Sequence, residues 1–267
     1  MKLKVVDHAI APDLAVACTA DVVYHVADDV SLTLDVYRPE AAATPLPAAV
    51  FVHGDLADWR QVHDLKDWGQ YRSWGRLVAA SGMAAVTFNH RSAQQGARMS
   101  DVSEDIDAVL NFLRTEGANL GVDATRLALV AFSMGVPYTV RVAFERRDEL
   151  ACVVAFYGFL DLGELGGEIK PELLREFSPL DQLRAGRRLP PLLVVRAGSD
   201  HPLLNASIDR FVAAALVDNL EIDVLNHPAG GHGFDIGVAS SRSRAIIAAV
   251  LSFLAHHLSP SDGTDRG

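Results

Sequence analysis

Cysteine is nearly absent: Cys18 and Cys152 are the only two in 267 residues. Two thiols so far apart carry no disulfide framework, and Cys152, inside the apolar run Cys152-Val153-Val154-Ala155-Phe156, reads as a core thiol. No apolar stretch approaches the roughly 18 residues that a membrane-spanning helix needs. The N-terminal segment lacks the sustained apolar core of a secretory signal, because Asp7, His8 and Asp13 interrupt it. Basic charge is also scarce, with 24 Lys and Arg against 34 Asp and Glu and a net charge of −10. That balance argues against a nucleic-acid or anionic-membrane partner, because both demand a basic patch. Repeats and low-complexity tracts are missing, and no His/Asp/Glu cluster has metal-ligand spacing. The expectation is a soluble, cytoplasmic protein that works without a metal.

What is present is 49% hydrophobic residues, enough for one large α/β domain or two small ones. Near-continuous apolar runs at 48–52, 84–88, 127–131, 152–156, 192–196 and 220–225 predict parallel strands covered on both faces. Ahead of them, segments 22–26 and 31–37 flank Ala27-Asp28-Asp29-Val30. Leu32, Leu34 and Val36 alternate with Thr33 and Asp35, which predicts an antiparallel hairpin. Helical stripes lie between the runs. One is Val102, Ile106, Val109, Leu110 and Leu113, with Ser100 or Asp101 as N-cap. The others are Ile208, Phe211, Val212, Ala215, Leu216 and Ile246, Ile247, Val250, Leu251, Leu254. Strand and helix in alternation predict a doubly wound, mostly parallel sheet in one α/β domain over residues 1–258. Residues 158–191 break the rhythm with glycines and prolines and are expected to form a lid over the C-terminal edge of the sheet. Residues 259–267 read as a disordered tail.

Three islands carry chemistry. Ala131-Phe132-Ser133-Met134-Gly135 joins an apolar strand to a helical pattern, the layout of a nucleophile elbow in which a tight turn demands small neighbours. Gly198-Ser199-Asp200 follows a later strand, and Gly230-Gly231-His232-Gly233-Phe234 follows the last one. Ser, then Asp, then His is the chain order of an α/β-hydrolase triad. Each residue also has an ordinary alternative: Ser133 as cap of the helix after it, Asp200 as cap of a helix near Pro202, His232 as one structural histidine among ten. Asp223 is a poorer acid because it falls within a predicted strand, and Asp235, three residues past His232, is too near in sequence to reach round to its ring.

These islands, together with Leu32-Thr33-Leu34-Asp35-Val36-Tyr37-Arg38-Pro39 and Phe51-Val52-His53-Gly54, make the chain resemble the α/β hydrolases, in particular the dienelactone-hydrolase and acetyl-esterase branches. The resemblance runs from about residue 22 to residue 258. It implies an α/β-hydrolase fold and a serine hydrolase without cofactor: Ser133 as nucleophile, His232 as general base and Asp200 as the acid that orients it. It further implies that the backbone N–H groups of Asp55 and Met134 face the oxyanion. The chain departs from the pattern in four places. Ala131 stands for the first glycine of the elbow, Pro137 lies in the first turn of the helix after it, Asp55 stands for a glycine of the oxyanion loop, and Ser133 occupies a position where dienelactone hydrolases use cysteine. If Asp55 donates its amide, its carboxylate must point away, toward solvent or a cation such as Arg60 or Lys66. His53-Gly54 also fits a simple strand-to-loop turn.

Trp59, Trp68, Tyr71 and Trp74 cluster after this loop and have three available fates: a substrate pocket, the packing of the next helix, or a dimer surface. Core packing is the commonest. The resulting expectation is a serine esterase acting on a small carboxylic ester or lactone through an acyl-enzyme, with no nucleic-acid or membrane partner. A peptidase-like acyl hydrolase and a non-catalytic ligand-binding protein on the same fold are the alternatives. Oligomeric state is not legible.

Overall fold

A computed structural model describes residues 2–8, 15–55, 64–165, 169–237 and 240–260. The chain opens with strands β1 (Val16–Ala27) and β2 (Val30–Pro39), joined by a two-residue turn. Asp28 and Asp29 in that turn have φ of 52° and 61°, so both central residues are left-handed, as a tight hairpin requires. Then come β3 (Leu46–Val52), α1 (Gly69–Ala80), β4 (Ala84–Phe88), α2 (Met99–Glu116), β5 (Val122–Phe132) and α3 (Gly135–Glu145). The second half adds β6 (Leu150–Phe156), α4 (Pro171–Phe177), α5 (Pro179–Arg184), β7 (Leu192–Ala197), α6 (Pro202–Val217), β8 (Ile222–His227) and α7 (Ser241–Leu258).

The eight strands form one sheet in the order β1-β2-β4-β3-β5-β6-β7-β8, with β1, β2 and β4 antiparallel to their neighbours along the hairpin edge and the run from β4 to β8 parallel. This is the expected α/β architecture. Alternation within each apolar run divides its side chains between two cores. Leu127, Leu129 and Ala131 of β5 face the side covered by α2, α3 and α6, while Ala128, Val130 and Phe132 face α1 and α7. Both faces are dry, which is why the run reads as continuously apolar. Each fully buried Val or Leu stabilises the fold by about 1.5–3 kcal/mol relative to exposure.

Two details of the helices differ from expectation. Helix α2 starts at Met99, ahead of the expected caps, and Asp101 sits in its first turn paired with Arg98 and Arg91. Leu216, placed in the buried stripe of α6, is 63% exposed because the stripe closes at Ala215. Within residues 158–191, α4 and α5 pack against α3, and α5 also against α6; residues 166–168 of that stretch lie outside the described residues. Of the tail, only Ser259 and Pro260 are described.

The chain leaves β3 toward β4 on one side and returns to β5 on the other. The C-terminal ends of β3 and β5 therefore border the switch point where α/β sheets open a crevice. The segment entering α1 is tied beside this crevice by Lys66, whose side chain is 1% exposed. Its ammonium donates to Asp35 at 2.8 Å, Asp21 at 2.8 Å and Asp67 at 3.2 Å, while its backbone N–H donates to Asn89. Burial works against the ammonium, but the hydrogen bonds to Asp21 and Asp35 outweigh it and hold the charge in place. Lys66→Met therefore strands the buried Asp35 carboxylate and is expected to cost about 3–5 kcal/mol in denaturant unfolding. Adding Asp35→Asn to that variant is expected to recover a large share of the loss, a non-additivity that a double-mutant cycle reads directly.

Candidate active site

Ser133 occupies the turn between β5 and α3 with φ of 53°, a left-handed backbone that a serine adopts only under constraint. Its N–H donates to the Phe156 carbonyl at 3.0 Å, and its own carbonyl accepts from Val136. The turn also depends on absent side chains: a Cβ on Gly135 would lie 2.5 Å from the His53 carbonyl oxygen. Helix α3 begins at Gly135 with Met134 as its N-cap residue, so Ser133 does not cap it through its hydroxyl.

Ser133, His232 and Asp200 are brought together. His232 Nε2 lies 2.9 Å from Ser133 Oγ, and His232 Nδ1 lies 2.7 Å from Asp200 Oδ2. With the carboxylate accepting from Nδ1–H, Nε2 is the nitrogen left to receive the serine proton. The acid is sheltered, its side chain 8% exposed, while the imidazole is 42% exposed at the cavity mouth. Asp200 Oδ1 accepts the His201 N–H at 2.7 Å, and the N-cap of α6 is His201 itself, which excludes the capping alternative for Asp200. Asp223 is exposed on the edge strand β8.

The C-terminal end of β3 borders Ser133 on another side. Among the described residues the Met134 N–H has no acceptor, and Gly54 packs so closely that a Cβ on it would stand 3.1 Å from Ser133 Cβ. Two partners of the Asp55 carboxylate lie on the loop after β4. It accepts from Ser92 Oγ and the Ala93 N–H, both at 2.8 Å, tying it to the loop after β4. Lys66 is committed elsewhere, and Arg60 lies outside the described residues. His53 stacks on His90 at 3.6 Å between ring centres. His53 Nδ1 donates to the Gly54 carbonyl at 2.8 Å and Nε2 accepts the His90 N–H at 3.3 Å, a pattern only the neutral ring satisfies. Burial first, and the neighbouring His90 second, push its pKa well below the usual value.

A cavity of about 580 Å³ opens at Ser133 and His232, walled by Leu65, Trp68, Tyr71, Tyr157, Phe234 and Ile236. Part of the tryptophan and tyrosine cluster thus lines a pocket as well as packing the core; Trp59 lies outside the described residues. Asp235 is the residue that sequence spacing undervalued. Fully buried, it accepts from Tyr157 Oη at 2.7 Å, Gln70 Nε2 at 2.9 Å and Trp74 Nε1 at 2.9 Å. It does not orient the His232 ring; it fastens the loop carrying it to α1 and to Tyr157, whose ring meets His232 edge-on at 4.8 Å. No signal in a single sequence pairs residues so distant. Among the described residues no group of three or more His, Cys, Asp or Glu is placed to hold a metal ion, and no helix is long and apolar enough to cross a membrane.

The family model for BD-FAE matches residues 34–176 of the chain. No curated protein matches it in sequence. Among solved structures, esterase B from Lactobacillus rhamnosis superposes with a TM-score of 0.72 at 16% identity, over 94% of this chain and 90% of that one. The esterase Est2 of the planctomycete Thermogutta terrifontis gives 0.71 at 19% identity, over 94% and 95%. Brefeldin A esterase, a bacterial homologue of human hormone-sensitive lipase, gives 0.70 at 18% identity, over 94% and 80%. At such identities the likeness is one of fold.

Two outcomes follow from the geometry. Asp235→Ala leaves the Tyr157 and Trp74 donors buried and unpaired, while Gln70 keeps only its bond to Tyr157 Oη, and is expected to lower unfolding free energy by about 3–5 kcal/mol; Asp235→Asn, which keeps one carbonyl acceptor, costs less. His53 titrates lower in the folded than in the unfolded chain, whose histidine value is about 6.5. Below that pH the unfolded state takes up a proton that the native state refuses. His53 therefore destabilises the fold as pH falls through about 6.5, by up to about 1.4 kcal/mol per pH unit, and contributes nothing above it. Denaturant unfolding of His53→Gln at pH 5–7, set against the parent chain, is expected to show the shallower acid slope.

Proposed function

The chain belongs to the BD-FAE family, an α/β-hydrolase family, and from that premise we propose that it is a serine esterase that cleaves a small carboxylic ester or lactone through an acyl-enzyme. The observation that carries the reading is the continuous relay from Asp200 Oδ2 through His232 to Ser133 Oγ, at 2.7 and 2.9 Å, on an elbow whose serine has φ of 53°. A free serine hydroxyl is a poor nucleophile at neutral pH, and this relay is what activates it. As Oγ attacks the acyl carbon, its proton passes to His232 Nε2, and Asp200 stabilises the imidazolium that forms. The carbonyl oxygen becomes an oxyanion, which the Met134 and Asp55 N–H groups hold. The tetrahedral species collapses as Nε2 returns the proton to the leaving alkoxide. Water then repeats the sequence on the acyl-serine and frees the acid.

The neighbouring folds support an ester rather than a peptide substrate, since those proteins are described as esterases, and the Thermogutta enzyme is known phosphonylated by cyclosarin and phosphorylated by paraoxon. Both cysteines are free thiols, Cys152 buried and Cys18 exposed, in keeping with a cytoplasmic setting. The cavity volume of about 580 Å³ suits a small molecule.

Ser133→Ala removes the nucleophile without adding volume, and is expected to abolish ester turnover, on the order of a million-fold, while leaving the melting temperature near that of the parent chain. A panel of chromogenic esters and peptidyl amides, read with a fluorophosphonate label, checks both activity and class. Parental rates in purified Ser133→Ala, or a parent chain that takes up no label and cleaves no ester, would overturn the proposal.

A further inference from the structure

Tyr71, in the first turn of α1, lines the same cavity as Ser133 and His232. Its ring stands edge-on to Phe132 at 5.7 Å and to His53 at 6.0 Å, which fixes its direction into the cavity that holds Ser133. The Gly54 N–H donates to Tyr71 Oη at 3.2 Å. Gly54 is the residue whose missing Cβ would stand 3.1 Å from Ser133 Cβ and 3.7 Å from Oγ, so the phenol is tied to backbone that abuts the reacting oxygen. That bond uses the phenol as an acceptor. Its own hydrogen has no acceptor among the described residues. Tyr71 is 5% exposed, and a buried donor left empty costs about 1–3 kcal/mol unless a ligand atom fills it.

We infer that Tyr71 Oη is a third oxyanion donor, meeting the substrate's carbonyl oxygen as it becomes negative. The inference rests on the serine-esterase reading and adds to it a side chain that the oxyanion loop alone does not supply. Gly54 cannot serve the oxyanion directly, because its N–H is spent on Oη. It acts through the phenol instead: a hydroxyl that accepts one hydrogen bond donates a stronger one. No proton changes hands. The O–H stays on Tyr71 while the oxyanion forms and collapses, and only the hydrogen bond strengthens and relaxes. Burial keeps the phenol above its ordinary titration range of about 10; the Gly54 N–H pulls it back in part and the charge on Asp235 adds to the rise, so the group is a donor throughout the working pH range.

Tyr71→Phe keeps the ring and removes the hydroxyl. With rates normalised to sites titrated by a fluorophosphonate, so that misfolded protein does not count, kcat is expected to fall on the order of a hundred-fold with KM nearly unchanged, the mark of an interaction made only in the transition state. Affinity for a boronic acid that forms a tetrahedral adduct on Ser133 should fall with it. A second measurement needs no variant: in a crystal structure of the phosphonylated parent chain, the phosphoryl oxygen should sit within hydrogen-bond distance of Tyr71 Oη. The inference is overturned by a titratable Tyr71→Phe protein whose kcat stays within a few-fold of the parent, by a fall in kcat with boronate affinity unchanged, or by a phosphoryl oxygen turned away from the phenol. Failure of the esterase reading shows itself differently, in a parent chain that neither hydrolyses esters nor takes the label.

Discussion

Backbones from three strand ends converge at Ser133 with no space for a side chain between them, and the site depends on that approach. Gly135 brings α3 against the His53 carbonyl, and Gly158 lies so close that a Cβ on it would collide with Val136 and the Ser133 carbonyl. The Ser133 N–H adds a hydrogen bond to Phe156 across the same junction. A serine at φ of 53° is strained by about 1–3 kcal/mol in isolation. Here the contacts with β3 and β6 leave it no alternative. One consequence is that Oγ stands clear of the sheet. Another is that the Met134 N–H has no acceptor among the described residues, which on the proposed reading is what a preorganised oxyanion donor requires.

The elements that flank this junction are held by buried charge rather than by apolar packing alone. On one side Lys66 gathers Asp21, Asp35 and Asp67 and fixes the entry to α1, hence the position of Trp68 and Tyr71 on the cavity wall. On the other, Asp235 draws donors from α1 and from Tyr157 and fixes the loop that carries His232. This division leaves the imidazole itself 42% exposed and, among the described residues, hydrogen-bonded to Asp200 and Ser133. On the proposed reading His232 is the general base, which must turn slightly between the attacking and leaving oxygens. An anchored loop bearing an exposed ring permits that motion without loosening the fold.

The strands, and the three residues that the structure brings within hydrogen-bond distance of one another, were legible in the sequence because both are written locally. Runs such as 127–131 are apolar at every position when both faces are dry, and the elbow, the Gly-Ser-Asp segment and the glycines around His232 are each turn chemistry contained in a few residues. What stayed hidden depends on partners distant in the chain. Asp235 and Trp74 are 161 residues apart, Lys66 and Asp35 are 31 apart, and nothing in either neighbourhood announces the other. His90, which follows a strand without a motif of its own, gains its role by stacking on His53. Spacing was correct that Asp235 does not orient the His232 ring, but it carried no information about the face the carboxylate turns toward α1. Leu216 shows the converse limit: a periodic stripe predicts which residues share a helix face, not where along the helix the covering layer ends.

Asp55 ties these points together on the proposed reading. In place of the glycine of the family pattern, the chain carries an acid beside the growing oxyanion. The bonds from Ser92 and Ala93 hold the carboxylate toward the loop after β4. A preorganised donor is worth about 3–4 kcal/mol to the transition state. A neutral phenol supplies one without bringing a further charge into the site. Held by Gly54 on one side and by the rings of Phe132 and His53 on the other, Tyr71 can hydrogen-bond the oxyanion without forming an ion pair with the acid beside it.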